Sequence, residues 1–208
     1  MILYAISGLG ADERVFKYLK LDYKLVVLNW LQPKPNEKIS QYALRMSEKI
    51  QRQEKFGILG VSFGGLIATE ISKQLHPEIT ILISSVETKF ELRSIYRFIG
   101  KTKILNFLPE CFFNLPASIA YVLFGAKQKQ LLTQILNDSD PKITKWALQQ
   151  LTTWNNETVL KNPIKICGTI DRLMPKPKAE NIILIAGGAH FMIVDKAEII
   201  SNIIIKKL

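Results

Sequence analysis

Six short runs of apolar, mostly β-branched residues set the strongest constraint on how this chain can fold. They occupy residues 2–6, 25–29, 56–61, 79–84, 164–168 and 182–186. The runs are almost continuously apolar and do not alternate with polar residues, which is the pattern of strands buried on both faces of a parallel sheet. The sequence therefore predicts a mostly parallel central sheet of about six strands.

Segments with helical periodicity lie between the runs. Residues 37–53 carry a stripe of apolar side chains, residues 66–75 follow the third run directly, and residues 195–207 lie near the end of the sequence. This alternation predicts an α/β fold with helices on both faces of the sheet. Because 208 residues suffice for one packed core, residues 1–208 are predicted to form a single domain.

One long segment, residues 87–157, interrupts the alternation of strands and helices. It contains no predicted strand, and its predicted helices cover residues 91–107, 117–124, 127–136 and 142–153. Asp140 and Pro141 supply an N-cap and a proline at the first position of the last of these helices. The segment is much longer than an ordinary crossover between parallel strands. We therefore expect residues 87–157 to form an inserted helical cap.

The formal net charge of +10 makes nucleic acid and anionic membranes partner classes to consider. The lysines are scattered along the chain, and no dense basic run alternates with aromatic residues, which favours a solvated lysine-rich surface and no nucleic-acid partner. The most apolar long segment, residues 104–125, is interrupted by Asn106, Pro109 and Glu110, so no membrane span is predicted.

The first residues and the cysteines indicate the expected compartment. Residues 1–6 lack the basic region and cleavage pattern of a signal peptide, so they are interpreted as a strand and the cytoplasm is the expected location. Cys111 and Cys167 lie far apart in apolar sequence and lack metal-binding spacing, so both are expected to be buried free thiols. No metal site is predicted, and no motif specifies an oligomeric state.

The most informative local motif is G-x-S-x-G, formed by Gly60, Ser62 and Gly64. It lies between the third apolar run and the next helix, where a sharp turn lifts the serine hydroxyl above the sheet. Glycine is needed on either side because side chains there would collide within the turn. The following helix also directs its N-terminus at the hydroxyl, which favours developing negative charge. Ser62 is therefore the candidate nucleophile.

A serine hydroxyl needs a base, usually histidine, and the chain has two histidines. His76 ends the helix after Ser62 and precedes Pro77, so it is interpreted as a helix-terminal residue. His190 follows the last apolar run, at the edge where the carboxyl ends of parallel strands collect. We therefore predict that His190 is the base.

The remaining parts of such a site are an acid and two oxyanion donors. Asp171, after the fifth run, is the predicted acid that orients the imidazole. Glu87, just past the fourth run, is the alternative because a carboxylate there could also reach His190. The predicted donors are the backbone N–H groups of Phe63 and of Leu9, which lies in a glycine-containing loop after the first run.

Together these motifs resemble the α/β-hydrolase superfamily, and the resemblance covers nearly the whole chain. It rests on the loop at residues 7–16, the turn at residues 60–65, Asp171 within G-T-x-D-x-x-x-P, and the late His190. The chain looks most like small, single-domain bacterial hydrolases. The resemblance implies the α/β-hydrolase fold, a cap after the strand that follows the Ser62 helix, and no cofactor. Many relatives have His-Gly in the oxyanion loop, where this chain has Ser7 and Gly8.

The expected activity is that of a carboxylesterase-type serine hydrolase acting on a small, largely apolar ester, thioester or amide through a covalent acyl-enzyme. The cap residues that suggest an apolar pocket are Phe98, Phe107, Phe112, Phe113 and Tyr121. Arg172, Lys176 and Lys178, near the acid, are interpreted as solvated charges. Since the superfamily also includes proteins without catalysis, an inactive ligand-binding protein is the alternative.

Overall fold

A central parallel sheet organises the computed structural model, which describes residues 1–174 and 182–208. The strands are β1 (Ile2–Ile6), β2 (Lys24–Val27), β3 (Phe56–Val61), β4 (Ile79–Ile83), β5 (Ile164–Gly168) and β6 (Ile182–Ile185). Every neighbouring pair is parallel, in the order β2-β1-β3-β4-β5-β6. The prediction of a six-stranded, parallel sheet is therefore confirmed.

Helices connect the strands on both sides of the sheet. Those that follow β2, β3 and β6 are α1 (Ile39–Met46), α2 (Phe63–Leu75), α8 (Met192–Asp195) and α9 (Ala197–Lys207). Those between β4 and β5 are α3 (Ser94–Thr102), α4 (Ile104–Phe107), α5 (Ala117–Phe124), α6 (Lys129–Asp138) and α7 (Pro141–Thr153). The whole connection from β4 to β5 is described, and it contains helices and loops without a strand.

Alternate side chains of the strands pack against the two layers of helices. In β1, Ile2, Tyr4 and Ile6 share one buried cluster with side chains of α1 and α2. Leu3 and Ala5 share a second cluster with side chains of α8 and α9. Since all five residues of β1 are buried, the strand has no solvent-facing side, which is the physical reason for its continuously apolar sequence.

Helix boundaries differ from the predicted ones where a side chain or a left-handed residue interrupts the hydrogen bonding. The helix predicted at residues 37–53 ends at Met46, because the Ser47 hydroxyl donates to a backbone carbonyl and a short 3-10 turn follows. The helix predicted at residues 91–107 is divided into α3 and α4 by Lys103, whose φ is 54°. The helix predicted at residues 195–207 begins at Ala197, because the backbone of Lys196, with φ −130° and ψ 27°, is not helical and separates α9 from α8.

The structure also bears on the predictions about the two cysteines and about a membrane span. Cys167 is buried in β5, but the prediction that Cys111 is buried is wrong, because its short 3-10 helix turns only Phe113 into the core. Within residues 1–174 and 182–208, no helix is long and apolar enough to cross a membrane. Lys176 and Lys178 lie outside the described residues.

Candidate active site

Ser62 is the single residue between β3 and α2, at the carboxyl end of the strand. Its backbone has φ 52° and ψ −125°, a conformation that is costly for a residue with a side chain. Three hydrogen bonds hold this backbone conformation. The Ser62 N–H donates to the Ile83 carbonyl at 2.9 Å, and the Ser62 carbonyl accepts from the Ser85 hydroxyl at 2.6 Å and from the Gly65 N–H at 2.9 Å. The strained turn projects the Ser62 side chain beyond the edge of the sheet.

The glycines beside Ser62 are required by close packing. A Cβ atom on Gly60 would lie 2.5 Å from the Gly64 carbonyl oxygen, far inside van der Waals contact. A Cβ atom on Gly64 would collide with the backbone carbonyls of Ile6 and Ser7. Because neither backbone can move without disrupting β1 or α2, only glycine fits at these two positions.

His190 and Asp171 meet Ser62 at the same edge of the sheet. Nε2 of His190 lies 2.8 Å from the Ser62 hydroxyl oxygen, and Nδ1 lies 3.0 and 2.9 Å from the two carboxylate oxygens of Asp171. Since an ionised carboxylate can only accept, Nδ1 carries the proton and the Nε2 lone pair faces the hydroxyl. The three side chains therefore form one hydrogen-bonded chain.

The carboxyl of Asp171 is buried, and its side chain is 2 % exposed. Burial by itself would raise the pKa of Asp171, but the hydrogen bond from His190 and those from two backbone N–H groups outweigh it and hold the pKa below its ordinary value. The backbone donors are Leu173 and Met174, each at 2.9 Å. Asp171 is therefore ionised at neutral pH, as a partner for the imidazole must be.

Glu87, the alternative acid, lies in a different buried cluster. Its carboxylate pairs with Lys165 of β5 at 2.5 Å, and Lys165 also contacts Glu91 at 2.5 Å. Burial alone would lower the pKa of Lys165, but its hydrogen bonds to Glu87 and Glu91 outweigh it and raise the pKa. The carboxylate that contacts His190 is that of Asp171. In the described part of the chain, no three His, Cys, Asp or Glu side chains cluster as a metal-ligand set.

The loop after β1 is held close to Ser62 by contacts that the sequence does not reveal. The Ser7 hydroxyl donates to the Ala11 carbonyl at 2.7 Å and accepts from the Trp30 indole N–H at 2.9 Å. A Cβ atom on Gly8 would lie 3.2 Å from Cβ of Ser62, so this backbone passes directly beside the hydroxyl. The Ser7 side chain thus braces the loop that contains Leu9.

Phe63, the other residue predicted to donate to an oxyanion, is the first residue of α2. The N–H groups in the first turn of a helix have no partner within the helix, so they point outward at its N-terminus. The ring of Phe63 is buried and stacks on Trp30, with 5.8 Å between the ring centroids. Leu9, Phe63 and Ser62 all line the same cavity.

A cavity of about 440 Å³ opens beside Ser62 and His190. Phe112 and Phe113 line it as predicted, but Phe98, Phe107 and Tyr121 are not among its lining residues. Phe98 and Phe107 point outward, and Tyr121 instead hydrogen-bonds Thr133. The wall also contains residues between β4 and β5 that no sequence motif singles out, namely Tyr96, Leu105, Leu108, Leu123, Phe124, Leu132, Ile135, Leu136, Leu148 and Leu151.

The wall of the cavity is almost entirely hydrocarbon. Apart from Ser62 and His190, its polar side chains in the described residues are Asn114, Thr144 and the phenol of Tyr96, and none of the described lining residues is Asp, Glu, Lys or Arg. A charged group placed here would lose its hydration without gaining a partner, which is costly. The cavity therefore suits an uncharged, apolar group.

Solved structures with this arrangement of strands and helices share one fold. An esterase from Exiguobacterium antarcticum superposes with a TM-score of 0.73 at 15% identity, over 100% of this chain and 91% of the esterase. The chain has the α/β-hydrolase fold. A hydrolase from Oleispira antarctica gives a TM-score of 0.73 at 14% identity, over 99% of this chain and 90% of that one.

Other proteins with the α/β-hydrolase fold are also similar to this chain. The type II thioesterase of the yersiniabactin biosynthetic pathway gives a TM-score of 0.65 at 13% identity, over 99% of this chain and 91% of the thioesterase. No protein-family model and no curated protein sequence matches the chain. At these low identities the likeness concerns the α/β-hydrolase fold, which agrees with the resemblance found in the sequence motifs.

Proposed function

We propose that this protein is a serine hydrolase that cleaves esters with an apolar acyl group. The observation that supports the proposal is the continuous hydrogen-bonded chain from the Ser62 hydroxyl through His190 to Asp171, beside an apolar cavity. The esterases and thioesterases with the same fold are consistent with this chemistry. Thioesters and amides remain within the range of the same acyl-transfer reaction.

In the proposed reaction, Nε2 of His190 accepts the proton of Ser62 as its oxygen attacks the ester carbonyl carbon. The carboxylate of Asp171 stabilises the imidazolium that forms. The N–H groups of Phe63 and Leu9 donate to the oxyanion of the tetrahedral intermediate. His190 then gives its proton to the leaving alkoxide, which departs as an alcohol and leaves an acyl group on Ser62.

Release of the acyl group repeats these steps with water. His190 accepts a proton from a water molecule whose oxygen attacks the acyl carbon, and it returns the proton to the oxygen of Ser62 as the acid departs. In this proposal, residues 87–157 act as a cap: helices α3 to α7 cover the carboxyl edge of the sheet and surround the acyl group with hydrocarbon. We propose accordingly that residues 1–208 are one domain with this insertion.

The test compares hydrolysis of p-nitrophenyl butyrate by the wild-type protein and by two serine variants. Ser62→Ala should abolish turnover above background, because the nucleophile is lost while the fold is kept. Ser118→Ala, on an exposed position of α5, should leave turnover unchanged. If the folded wild-type protein hydrolyses neither esters nor thioesters, the proposal is wrong and a ligand-binding protein becomes the better account.

A further inference from the structure

Residues 93–112, here called the cap ridge, expose an unusual amount of apolar surface. The cap ridge comprises α3, α4 and the loop that continues to Phe112, and neither α3 nor α4 has a buried residue. Phe98, Phe107 and Phe112 are 63%, 83% and 69% exposed, and Ile95 and Ile104 are each 52% exposed. Five large apolar side chains clustered in twenty consecutive positions exceed the scattered exposure that is normal for a soluble surface.

Cationic side chains are interleaved with these apolar ones. Arg93, Arg97, Lys101 and Lys103 are all exposed, and the cap ridge contains a single carboxylate, that of Glu110. Long cationic side chains can extend their charge away from a surface into which neighbouring apolar side chains insert. The cap ridge therefore combines exposed positive charge and exposed apolar side chains within twenty consecutive residues.

The cap ridge is also the outer wall of the cavity beside Ser62. Tyr96, Leu105 and Leu108 turn inward and line the cavity, whereas Phe98 and Phe107 turn outward. Phe112 is exposed and yet lines the cavity, so it lies where the cavity meets the surface. Whatever covers the cap ridge is thus adjacent to the mouth of the candidate active site.

We propose that the cap ridge docks on the surface of a lipid bilayer that carries anionic headgroups. Phe98, Phe107 and Phe112 would insert below the headgroups, while the arginines and lysines pair with them. The helices of the cap ridge are too short to span a bilayer, so the protein lies on the surface. If the proposed hydrolase activity holds, this placement implies that the ester is a membrane-dissolved amphiphile that enters beside Phe112.

Charge favours a lipid surface over a second copy of this chain as the occupant. In a symmetric dimer formed through the cap ridge, the same patch meets itself, so Arg97 and Lys101 would face cations of the partner. A bilayer with anionic headgroups instead supplies negative charge and, a few ångströms deeper, hydrocarbon for the phenylalanines. The net charge of +10 adds longer-range attraction to the same surface.

The test is co-sedimentation of the full chain with vesicles of phosphatidylcholine, with and without phosphatidylglycerol. The wild-type protein should bind the anionic vesicles and be released by high salt. Phe98→Ser/Phe107→Ser should weaken binding by at least about tenfold, since each ring contributes a buried apolar surface. Arg97→Gln/Lys101→Gln should weaken it by about fivefold per charge removed.

Matched controls keep the test independent of folding and of the proposed activity. Phe90→Ser removes an equally exposed ring outside the cap ridge, and Lys206→Gln/Lys207→Gln removes two charges from α9. Neither control should weaken binding as much as the corresponding cap-ridge variant does, since only the longer-range part of the attraction is lost. Each cap-ridge variant should hydrolyse a soluble short ester at the wild-type rate. The docking proposal fails if anionic vesicles do not bind the wild type, or if the controls weaken binding as much as the cap-ridge variants.

Two further readouts separate the remaining outcomes. If light scattering shows that the wild type self-associates and that Phe98→Ser/Phe107→Ser restores monomers without affecting vesicle binding, the cap ridge is a protein interface and the lipid proposal is overturned. If vesicles bind as expected but no ester is hydrolysed, docking stands and the proposed hydrolase function fails. An ester carried in anionic vesicles should be cleaved faster by the wild type than by the cap-ridge variants.

Discussion

The apolar wall beside Ser62 predicts how hydrolysis should depend on the length of the acyl chain. The cavity of about 440 Å³ is lined by hydrocarbon and offers no described charged side chain, so each added methylene leaves water for an apolar surrounding. Burial of one methylene contributes about 0.8 kcal/mol. If this energy is expressed in the transition state, kcat/KM should rise about fourfold per methylene.

We therefore expect kcat/KM to rise steeply with acyl length until the cavity is full. Relative to the acetyl ester, kcat/KM should increase roughly 15-fold for butyryl and roughly 200-fold for hexanoyl. The assay is p-nitrophenol release from esters of increasing acyl length, measured below KM at one pH, with the leaving group held constant. Beyond the length at which the cavity is filled, the values should level off or fall.

A variant that narrows the cavity tests whether the cavity is the cause. Leu108→Trp should shift the best acyl length to shorter chains and leave the acetyl ester nearly unaffected, because Leu108 lines the cavity. Leu44→Trp, on an exposed position of α1, is the matched control and should keep the wild-type profile. A profile that is flat from acetyl to hexanoyl, or that Leu108→Trp does not change, would refute this reasoning.

Three further predictions concern residues near the site. Asp171→Asn should lower hydrolysis about 10⁴-fold. Because the pKa of Asp171 is lowered in the folded protein, its carboxyl stabilises the fold while it is ionised, and this stability is lost as the pH falls through the lowered pKa. Wild-type stability to urea should therefore fall more steeply than that of the variant as the pH drops below about 5, and parallel curves would contradict this. Maleimide should label exposed Cys111 and spare Cys167, because Cys167 is buried and burial raises its pKa to about 12. Mass spectrometry of the native wild-type and Cys111→Ser proteins counts the adducts, and a labelled Cys167 would contradict this prediction. Lys165→Ala leaves the buried carboxylate of Glu87 without its cation and should lower the free energy of unfolding by about 3–5 kcal/mol. Urea titrations measure this loss, and a loss below about 1 kcal/mol would mean that the unpaired carboxylate of Glu87 does not destabilise the fold.

The sheet and the meeting of three side chains could be anticipated because both follow from strand direction. Ser62, Asp171 and His190 each come after the carboxyl end of a parallel strand, and in a parallel sheet all these ends lie at one edge. The need for glycine on either side of Ser62 could also be predicted, because a tight strand-to-helix turn excludes side chains wherever it occurs. Local patterns sufficed for these features.

The packing of the helices between β4 and β5 is harder to predict. Periodicity shows which residues share a helix face, but it does not show whether that face packs against the cavity or is exposed to solvent. Phe98 and Phe107 are predicted to line the cavity, but both rings are exposed, and Tyr96 and Leu105 of the same two helices line it instead. The sequence offers Glu87 as an alternative acid because it does not show which residue is the partner of this carboxylate. That partner, Lys165, lies within an otherwise apolar strand, where no local signal indicates a buried ion pair.

The most direct test of the account is the rate and position at which a fluorophosphonate probe modifies the folded protein. A hydroxyl activated by His190 should form one adduct, mapped to Ser62 by peptide mass spectrometry, and His190→Asn should slow the reaction about 10²–10⁴-fold. His76→Asn, at the left-handed end of α2, should react at the wild-type rate, since asparagine tolerates that backbone conformation. An adduct at another residue, or equal rates in wild type and His190→Asn, would contradict the claim that His190 activates Ser62.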